Sequence, residues 1–358
     1  MIPFNKPALP DLGDVMRIAG SAWATGRVSN FGPLSERLER RVGQIADRTA
    51  LSCSSCDTGL TLALAALDLE PGSLVLLPSF SFASTLNAVL WNGLYPWFCD
   101  IDELTCCLDP QACVASGQRP AAIIATHALG SPANEKRLKA VAEALGAFLV
   151  FDAASGLGGS YESGKPIGSG GDIECFSLSP TKPITACEGG VVTFKHEDIA
   201  DRFRVLRNYG VRDGLPAIKG LNGKLSELHA AVALASLEKL DYFIGERRNI
   251  ARRYSAILGE TAAEFQVEEG KSTCKDFLLK LSTPVKLSDV ASSLARNEIA
   301  YRRYYVPLHW SGALPDKKRG WMLPSTESVF SRSVCLPMFN GLTLSSQQIV
   351  CDAIRKVI

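Results

Sequence analysis

Short apolar runs alternate with helical patterns along the first half of the chain, and this alternation restricts the possible folds more than any other feature. The runs cover residues 50–52, 74–77, 97–100, 121–126, 148–151, 173–176 and 190–194. Between them, residues 59–69 and 136–145 place apolar side chains at helical spacing. Strands that are buried on both faces read as continuous apolar runs, as most of these do. The pattern predicts βαβ units in an α/β fold with a mainly parallel sheet.

The second half of the chain predicts a smaller unit that a long helix joins to the first. A helical pattern extends from residue 225 to about residue 258. The elements predicted beyond it are one strand and two helices, at residues 277–281, 287–297 and 345–358. For a chain of 358 residues, two domains are the expected number. We therefore expect a large domain over residues 1–240 and a small α+β domain over residues 241–358.

The charges of the chain nearly cancel. There are 38 Lys and Arg residues against 37 Asp and Glu residues, a formal net charge of +1. Binding to nucleic acid or to an anionic membrane needs a clustered basic excess, so we expect neither partner. No apolar run approaches the roughly 18 residues that a membrane span needs. The first ten residues lack the charged and apolar segments of a secretory signal, so the expected location is the cytoplasm.

Eleven cysteines, an odd number, indicate free thiols rather than a disulfide framework. Cys53 and Cys56 form a CxxC pair, but the chain has no second pair and its four histidines are scattered singly. A zinc site or a redox pair is therefore less favoured here than two ordinary buried or loop residues. We predict no metal site.

Asp152 and Lys182 are the first candidates for a reactive site. Asp152 follows one apolar run, and Lys182 follows the next, before a turn at residues 188–190. In open parallel sheets the carboxyl ends of the strands border one crevice, so the two side chains could converge. A lysine and a carboxylate there suit pyridoxal 5'-phosphate (PLP), which binds a lysine amine and pairs its ring nitrogen with a carboxylate. An ordinary salt bridge at Asp152 and a solvated lysine form the competing interpretation, which two residues alone do not exclude.

A polar turn at residues 54–60 leads from a predicted strand into an amphipathic helix. Unpaired N–H groups and the helix dipole at such a turn attract an anion, here the PLP phosphate. The Ser177 hydroxyl could join them, and an aromatic side chain in residues 78–85 could stack on a flat ring. An N-cap and core packing are the ordinary explanations of these two segments. Nucleotide-binding motifs are not supported, since the P-loop pattern is absent and Tyr161 stands where a dinucleotide motif needs its third glycine.

The order and spacing of these segments resemble the DegT/DnrJ/EryC1/StrS family of PLP-dependent nucleotide-sugar aminotransferases over nearly the whole chain. The matching segments are residues 25–33, 54–60, 78–87, 151–155, 176–182, 188–190, 207–210, 220–231, 305–309 and 336–338. No single segment is diagnostic, but their common order is specific. The resemblance implies a type I aminotransferase fold, with a mainly parallel seven-stranded sheet between helices and a smaller C-terminal α+β domain. It also implies a transaminase with PLP as its cofactor.

Carried over by position, the resemblance implies two catalytic residues. Lys182 binds PLP covalently and is the acid and base of proton transfer, and Asp152 keeps the pyridine nitrogen protonated so that the ring withdraws electrons. Phe82 takes the ring-stacking position and Ser177 a phosphate-binding one. Asn222 matches an asparagine that reaches the phosphate of the neighbouring subunit, which implies a homodimer with shared active sites.

The chain departs from the family pattern in three places. Cys56 and Asp57 stand where the family has Gly-Thr or Ala-Thr, so an acidic side chain is expected near the phosphate. Thr58 could substitute from the next position, and backbone N–H donors survive any side-chain change. Ser155 replaces a Gln or His near the 3'-oxygen of PLP, and Ser179 replaces a His or Asn. We still expect Cys56, Asp57, Thr58 and Ser155 to contact the cofactor.

The resemblance implies amino transfer from an amino acid, with L-glutamate expected, to a nucleotide-linked 4-keto-6-deoxysugar, and we favour C-4 over C-3. Tyr305 and His309 match a segment near the sugar nucleotide, so we expect them to bind substrate. The amino deoxysugar formed would serve polysaccharide or O-antigen biosynthesis. A keto-cyclitol aminotransferase, a PLP-dependent sugar dehydratase and a non-catalytic binding or regulatory homologue are the alternatives. The dehydratases of the family replace the PLP-binding lysine by histidine, so an intact Lys182 favours transamination.

Overall fold

The computed structural model describes residues 1–282, 285–316 and 320–358. Its strands are β1 (Thr49–Cys53), β2 (Leu74–Pro78), β3 (Tyr95–Cys99), β4 (Ala122–Thr126), β5 (Phe148–Asp152), β6 (Ser160–Tyr161), β7 (Ile173–Ser177), β8 (Gly190–Phe194), β9 (Val211–Arg212), β10 (Leu215–Pro216), β11 (Ala263–Phe265), β12 (Gly270–Lys271), β13 (Phe277–Leu281) and β14 (Ser333–Leu336). Its helices are α1 (Leu12–Thr25), α2 (Pro33–Ala46), α3 (Cys56–Ala66), α4 (Ala83–Trp91), α5 (Pro110–Ala115), α6 (Glu135–Leu145), α7 (Glu197–Leu206), α8 (Glu227–Leu237), α9 (Leu240–Leu258), α10 (Leu287–Arg296), α11 (Pro324–Arg332) and α12 (Leu344–Arg355). None of the described helices is long and apolar enough to span a membrane.

A seven-stranded sheet forms the centre of the protein, in the order β1-β8-β7-β5-β4-β2-β3. The neighbours from β3 to β7 pair in parallel, whereas β8 is antiparallel to both β7 and β1. The carboxyl ends of the other six strands therefore lie at one edge of the sheet, and β8 begins at that edge. The predicted α/β fold with a mainly parallel sheet is confirmed, because each of the seven apolar runs falls on one of these strands.

Helices cover both faces of the sheet, because neighbouring residues along each strand enter different cores. Leu76 and Ile123 pack in a cluster with side chains of α1, α2 and α8. Val75 and Ile124, one residue away, pack in a second cluster with side chains of α3, α4 and α7. Both faces of the strands are thus apolar, which explains why the sequence shows continuous runs rather than alternation.

The predicted single helix over residues 225–258 is wrong, because the chain divides there into α8 and α9. The two helices are separated by Glu238 and Lys239, of which Lys239 leaves helical geometry at φ −108° and ψ 14°. Helix α8 is buried on most of its sides within the large core, whereas α9 is amphipathic and packs Ile250 and Tyr254 in a separate core of the C-terminal part. One straight helix does not satisfy both surroundings.

A three-stranded antiparallel sheet, in the order β11-β13-β14, belongs to the C-terminal part. The predicted strand and the two predicted helices there are confirmed as β13, α10 and α12, with small differences at the helix ends. The N-terminus packs on this part as well, since Ile2 pairs with Ile299 and the Phe4 carbonyl accepts a 3.1 Å hydrogen bond from the Met338 N–H. The expected domain boundary between residues 240 and 241 stays a prediction.

Hydrogen bonds join the segment before β13 to the carboxyl edge of the central sheet. The Thr273 N–H donates to the Gly130 carbonyl at 3.1 Å, and the Asp276 N–H donates to the Leu129 carbonyl at 3.2 Å. The Thr273 hydroxyl donates to the Ser155 carbonyl at 2.7 Å. These contacts bring residues of the C-terminal part beside Asp152 and Lys182, although about 90 residues or more separate them in sequence.

All eleven cysteines are free thiols; ten are buried and Cys187 is exposed. Burial raises the pKa of the Cys53 thiol to about 12 and that of Cys56 well above its usual value. Both thiols stay protonated at neutral pH, which argues against redox chemistry at this CxxC pair. Among the described residues, no group of three or more His, Cys, Asp or Glu side chains could hold a metal ion.

Candidate active site

A cavity of about 360 Å³ opens at the carboxyl edge of the central sheet. It is lined by most of the residues that the sequence singles out, namely Cys56, Asp57, Phe82, Asp152, Ser155, Ser177, Lys182 and Tyr305. They come from the ends of β1, β2, β5 and β7 and from the loop between β7 and β8, with Tyr305 from the C-terminal part. The edge rule for parallel strands therefore brings together side chains from distant parts of the sequence.

Asp152 is the last residue of β5 and is only 3% exposed. One carboxylate oxygen accepts a 2.6 Å hydrogen bond from the Thr85 hydroxyl, and the other accepts a 3.2 Å bond from the Ala154 N–H. Thr85 in turn contacts the Ser81 hydroxyl at 2.6 Å, and Ser81 contacts the Thr126 hydroxyl at 3.0 Å. This chain of hydroxyls fixes the orientation of a buried carboxylate at the cavity wall.

Lys182 lies in the loop between β7 and β8, where its N–H donates to the Ser179 carbonyl at 3.0 Å. Its Nζ donates to the Ser155 hydroxyl at 3.1 Å. Burial, and next the charge of Lys275, lower the pKa of the Lys182 amine to about 8. Roughly a tenth of this amine is therefore neutral at pH 7, far more than for a lysine of ordinary pKa, and the neutral form is the one that attacks a carbonyl carbon.

The polar turn after β1 forms the first turn of α3. Ser55 is its N-cap, and the Ser55 hydroxyl accepts a 3.0 Å hydrogen bond from the Thr58 N–H. The Thr58 side chain contacts Ser54 and Ser55 at 3.1 and 3.0 Å and does not line the cavity. The N–H groups of Cys56 and Asp57 come before the first intrahelical bond, so they stay free for an anion. The Asp57 side chain is exposed and borders the cavity.

Phe82 stands before α4 with its side chain on the cavity. It is 61% exposed, so core packing, the ordinary explanation of this aromatic residue, is wrong. Phe80, two residues earlier, is the buried one and packs edge-on against Tyr305 with 5.3 Å between ring centroids. An exposed aromatic face at a cavity is available for stacking on a planar ligand.

Comparison with known proteins decides the family. The sequence matches the model of the DegT/DnrJ/EryC1/StrS aminotransferase family over residues 14–355. The chain belongs to this family. Its fold and its cofactor follow, so the protein is a PLP-dependent aminotransferase of the type I fold, as the resemblance implies.

Solved structures of similar proteins agree with this assignment. The aminotransferase is 31% identical to DesI, solved in the presence of its TDP-sugar product, with a TM-score of 0.91 over 98% of this chain and 91% of that chain. It is 28% identical to DesV of S. venezuelae, solved in complex with a ketimine intermediate, with a TM-score of 0.89 over 99% and 98%. It is 25% identical to the sugar aminotransferase CalS13 from Micromonospora echinospora, with a TM-score of 0.91 over 99% and 100%.

The donors around the cavity of the aminotransferase fit PLP. The cofactor brings a phosphate dianion, a pyridine nitrogen and an aldehyde, and the cavity offers helix N–H groups, the buried Asp152 carboxylate and the Lys182 amine. Ser177 contributes a hydroxyl at the end of β7. A Cβ atom at Gly190 would lie 2.8 Å from the Cys56 nitrogen, so only glycine lets β8 begin against the first turn of α3.

Tyr305, His309 and Asn222 occupy different surroundings. Tyr305 lines the cavity, and burial raises the pKa of its hydroxyl. His309 is buried outside the cavity lining, with Nδ1 2.7 Å from the Ser79 hydroxyl and Nε2 3.2 Å from the Glu327 carboxylate. Asn222 is exposed and does not line the cavity of its own chain. The predicted roles of these three residues remain predictions.

Several residues of the cavity wall are missed by the sequence reasoning. Thr126 and His127 follow the apolar run of β4, so the edge rule that selects Asp152 could have found them. Ser81 lines the cavity just before α4, and Thr85, four residues later, lies behind it and donates to Asp152. Lys275 and Tyr304 come from the C-terminal part and carry no local signal in the sequence.

Proposed function

We propose that this aminotransferase moves an amino group from L-glutamate to a nucleotide-linked 4-keto-6-deoxysugar, with C-4 favoured over C-3. The observation that carries the proposal is a buried carboxylate and an amine of lowered pKa, Asp152 and Lys182, on one cavity of a chain in this family. The nucleotide-sugar class is supported by DesI, which was solved with a TDP-sugar product. The C-4 preference rests on the resemblance of residues 29–33 and on the short chain.

We assign PLP contacts to the residues that the resemblance selects. When bound, PLP withdraws electrons from the α-carbon of an attached amine and makes its proton transferable. Lys182 would hold and return that proton at Nζ, and Asp152 would hold a proton on the pyridine nitrogen. Phe82 would stack on the ring, and Ser155 would keep the Lys182 amine in position through their 3.1 Å contact.

The proposed phosphate site combines the first turn of α3, which follows β1, with the end of β7. The N–H groups of Cys56 and Asp57 and the Ser177 hydroxyl would donate to the phosphate, while the Asp57 carboxylate weakens its binding. We retain Asn222 of the partner subunit as a further donor, Tyr305 as a contact of the sugar and His309 as a neighbour of that site. Thr58 is the weakest of these assignments, because Ser55 already accepts its N–H.

A homodimer is part of the same proposal. Helix α1 exposes Leu12, Met16 and Trp23 at helical spacing along one face, and α8, which packs on α1, exposes Leu228. Grouped apolar side chains of this kind mark an interaction surface. A second copy of the chain is the expected cover, because the role that the resemblance implies for Asn222 requires such an interface. We also propose a cytoplasmic location, since eleven unpaired cysteines fit a reducing compartment.

Product analysis tests the proposed reaction. The purified protein should show the visible absorbance of lysine-bound PLP, and Lys182→Ala should abolish it whereas Lys195→Ala, which changes an exposed lysine, should not. Incubation with L-glutamate and a panel of 3-keto and 4-keto sugar nucleotides should give a 4-amino sugar by mass spectrometry and NMR. A 3-amino product or an amino cyclitol as the preferred product would overturn the substrate assignment.

Asp57 and Ser155 are departures from the family pattern at the cavity wall, and one of them is acidic. The fate of glutamate tests whether amino transfer tolerates them. An aminotransferase converts glutamate to 2-oxoglutarate, whereas a dehydratase would release water from the sugar and leave glutamate unchanged.

A further inference from the structure

A second lysine reaches the cavity from the C-terminal part of the chain. Lys275 lies in the segment before β13, which hydrogen bonds hold against the carboxyl edge of the sheet. The residue is only 5% exposed, yet it lines the same cavity as Lys182. Burial, and next the charge of Lys275, lower the pKa of the Lys182 amine, so the two lysines interact. An ammonium group in this position must have a partner, because an isolated buried charge is costly.

The partner that the structure provides leaves one donor of Lys275 unused. Both oxygens of the buried Asp276 carboxylate lie near the Lys275 Nζ, at 3.0 and 2.9 Å. The Nζ also lies 5.4 Å from the centre of the Tyr304 ring, within the range of a cation–π contact. An ammonium has three N–H donors, and no acceptor other than Asp276 is found for it among the described residues. One N–H is therefore free for a molecule that enters the cavity.

The proposed reaction requires a group near Lys182 that binds the carboxylate of the amino donor. The α-carbon of the amino donor must lie next to the Lys182 Nζ for proton transfer, and its carboxylate is bonded directly to that carbon. Of the described residues that line the cavity, Lys182 and Lys275 are the lysines, and no arginine lines it. Asp57, Asp152 and Glu188 also line the cavity and would repel a carboxylate from their own sides. The Lys275 side is the one where a carboxylate gains an attractive partner.

We propose that Lys275 binds the α-carboxylate of the amino-acid donor and thereby selects α-amino acids over other amines. The proposal rests on the amino transfer stated under the proposed function, since it names the group of the donor that the same cavity recognises. Asp276 acts as a positioning residue, because it holds the Lys275 ammonium at the cavity wall and does not itself line the cavity.

The ion pair also explains how one cavity takes two unlike substrates. The donor carries a carboxylate beside the reacting carbon, whereas the sugar carries neutral ring carbons and hydroxyls there. An unpaired lysine would disfavour the neutral sugar, because its charge would lose water without gaining a partner. Asp276 balances the charge of the Lys275 ammonium while the sugar is bound. The third N–H of Lys275 is still available when the carboxylate of the donor enters the cavity.

Binding of unreactive donors to the purified PLP-loaded protein tests the inference. α-Methyl-L-glutamate lacks the transferable α-proton, and its α-carboxamide form differs only in the charge of interest. By calorimetric titration, the wild-type protein should bind the carboxylate form at least about tenfold more tightly than the carboxamide form, the ratio that roughly 1.4 kcal/mol provides. Lys275→Met combined with Asp276→Asn, which removes both buried charges together, should reduce the ratio to about one, and Lys275→Arg should preserve most of it.

Two controls separate this role from a structural one. Lys280→Met should leave the ratio unchanged. Lys280 is another buried lysine, on β13, and its Nζ donates to the Glu103 carbonyl at 2.8 Å, outside the cavity. The affinity for an amino-sugar nucleotide, which has no such carboxylate, should be the same in the wild type and in the double variant. A wild-type ratio near one would overturn the inference. So would an equal loss of affinity for the carboxylate form, the carboxamide form and the amino-sugar nucleotide in the double variant. Failure of the wild type to aminate any keto sugar would instead overturn the proposed function, and the ratio would still be measurable.

Discussion

The Thr85 hydroxyl donates a 2.6 Å hydrogen bond to the Asp152 carboxylate, and both side chains are buried at the carboxyl edge of the sheet. Thr85 comes from α4 and Asp152 from β5, so the contact joins the start of α4 to the cavity wall at the end of β5. This hydrogen bond fixes the orientation of the carboxylate at the cavity. The pyridine nitrogen of PLP needs a partner that is oriented in this way.

Thr85→Val should therefore weaken PLP binding to the cofactor-free protein by about tenfold, since a hydrogen bond to a charged group contributes roughly 1.5 kcal/mol. Titration of the apoprotein with PLP, followed by absorbance, measures the change. Thr193→Val is the matched control, because Thr193 on β8 is equally buried but its hydroxyl donates to the Gly168 carbonyl, and it does not line the cavity. Equal PLP affinity in Thr85→Val and the wild type would show that Asp152 does not depend on this contact.

The lowered pKa of Lys182 predicts a specific pH dependence of its reactivity. In the cofactor-free protein, acylation of Lys182 should increase through a midpoint near pH 8, because burial, and next Lys275, lower the pKa of the amine to about 8 and only the neutral amine reacts. Lys275→Met should move this midpoint to higher pH, since it removes a neighbouring positive charge. Mass spectrometry of digested samples gives the midpoint, with exposed Lys136 as the internal reference for the reagent. An unmoved midpoint in the variant would contradict the prediction.

Asp57 is expected to hinder the phosphate of PLP. Asp57→Ser should tighten PLP binding about two- to fivefold, which corresponds to roughly 0.3–1 kcal/mol for one charge at a helix N-terminus. The gain should shrink as salt is added, because salt screens an exposed carboxylate. Asp352→Ser removes an exposed acidic side chain on α12 and serves as the control. Weaker PLP binding in Asp57→Ser would mean that Asp57 assists the cofactor rather than repelling it.

Glu227 is predicted to be important for stability. Its fully buried carboxylate accepts hydrogen bonds from the Leu34 N–H at 2.6 Å and the Ser35 N–H at 3.1 Å, so the first residue of α8 caps the start of α2. Glu227→Ala should lower the free energy of unfolding by about 2–4 kcal/mol, because it leaves these buried donors without an acceptor. Urea unfolding measures the loss. Glu238→Ala, at the other end of α8, removes only an exposed 3.5 Å ion pair with Arg37 and should cost less than about 0.5 kcal/mol.

His309 should make the protein less stable in mild acid. Burial lowers the pKa of its ring below the usual 6.5, and the Glu327 carboxylate opposes this only in part. The unfolded chain therefore takes up the proton first as pH falls, and stability that is present above pH 6.5 decreases below it. The difference in urea midpoint between pH 7.5 and pH 5.5 should be smaller in His309→Asn than in the wild type. An equal difference in both proteins would assign the acid sensitivity to other groups.

The sheet and half of the cavity follow from rules that act locally along the chain. Asp152, Ser177 and the turn at Ser55 each come directly after an apolar run, and parallel strands bring such ends to one edge. The same rule also selects Thr126 and His127, which stand at the end of β4 as Asp152 stands at the end of β5. Family resemblance adds the chemical roles, because no spacing distinguishes a PLP lysine from a solvated one.

The rest of the cavity depends on packing between distant segments. Lys275 lines the same cavity as Lys182 because Thr273 and Asp276 donate hydrogen bonds to backbone carbonyls in the loops after β4 and β5. No periodicity in the sequence predicts those bonds. The sequence does not predict the division between α8 and α9 either, because it too depends on packing between distant segments. Both helices have helical spacing of apolar residues, and the change of direction at Lys239 depends on which core each helix meets.

The burial of ten of the eleven thiols has a practical consequence for solution studies. Cys187 is the exposed one, five residues after Lys182 and next to Glu188, which borders the cavity. A maleimide fluorophore would therefore attach at a single position on the unaltered polypeptide, at the rim of the pocket. Its emission would follow ligand arrival and departure in real time, with no need to engineer a cysteine-free background.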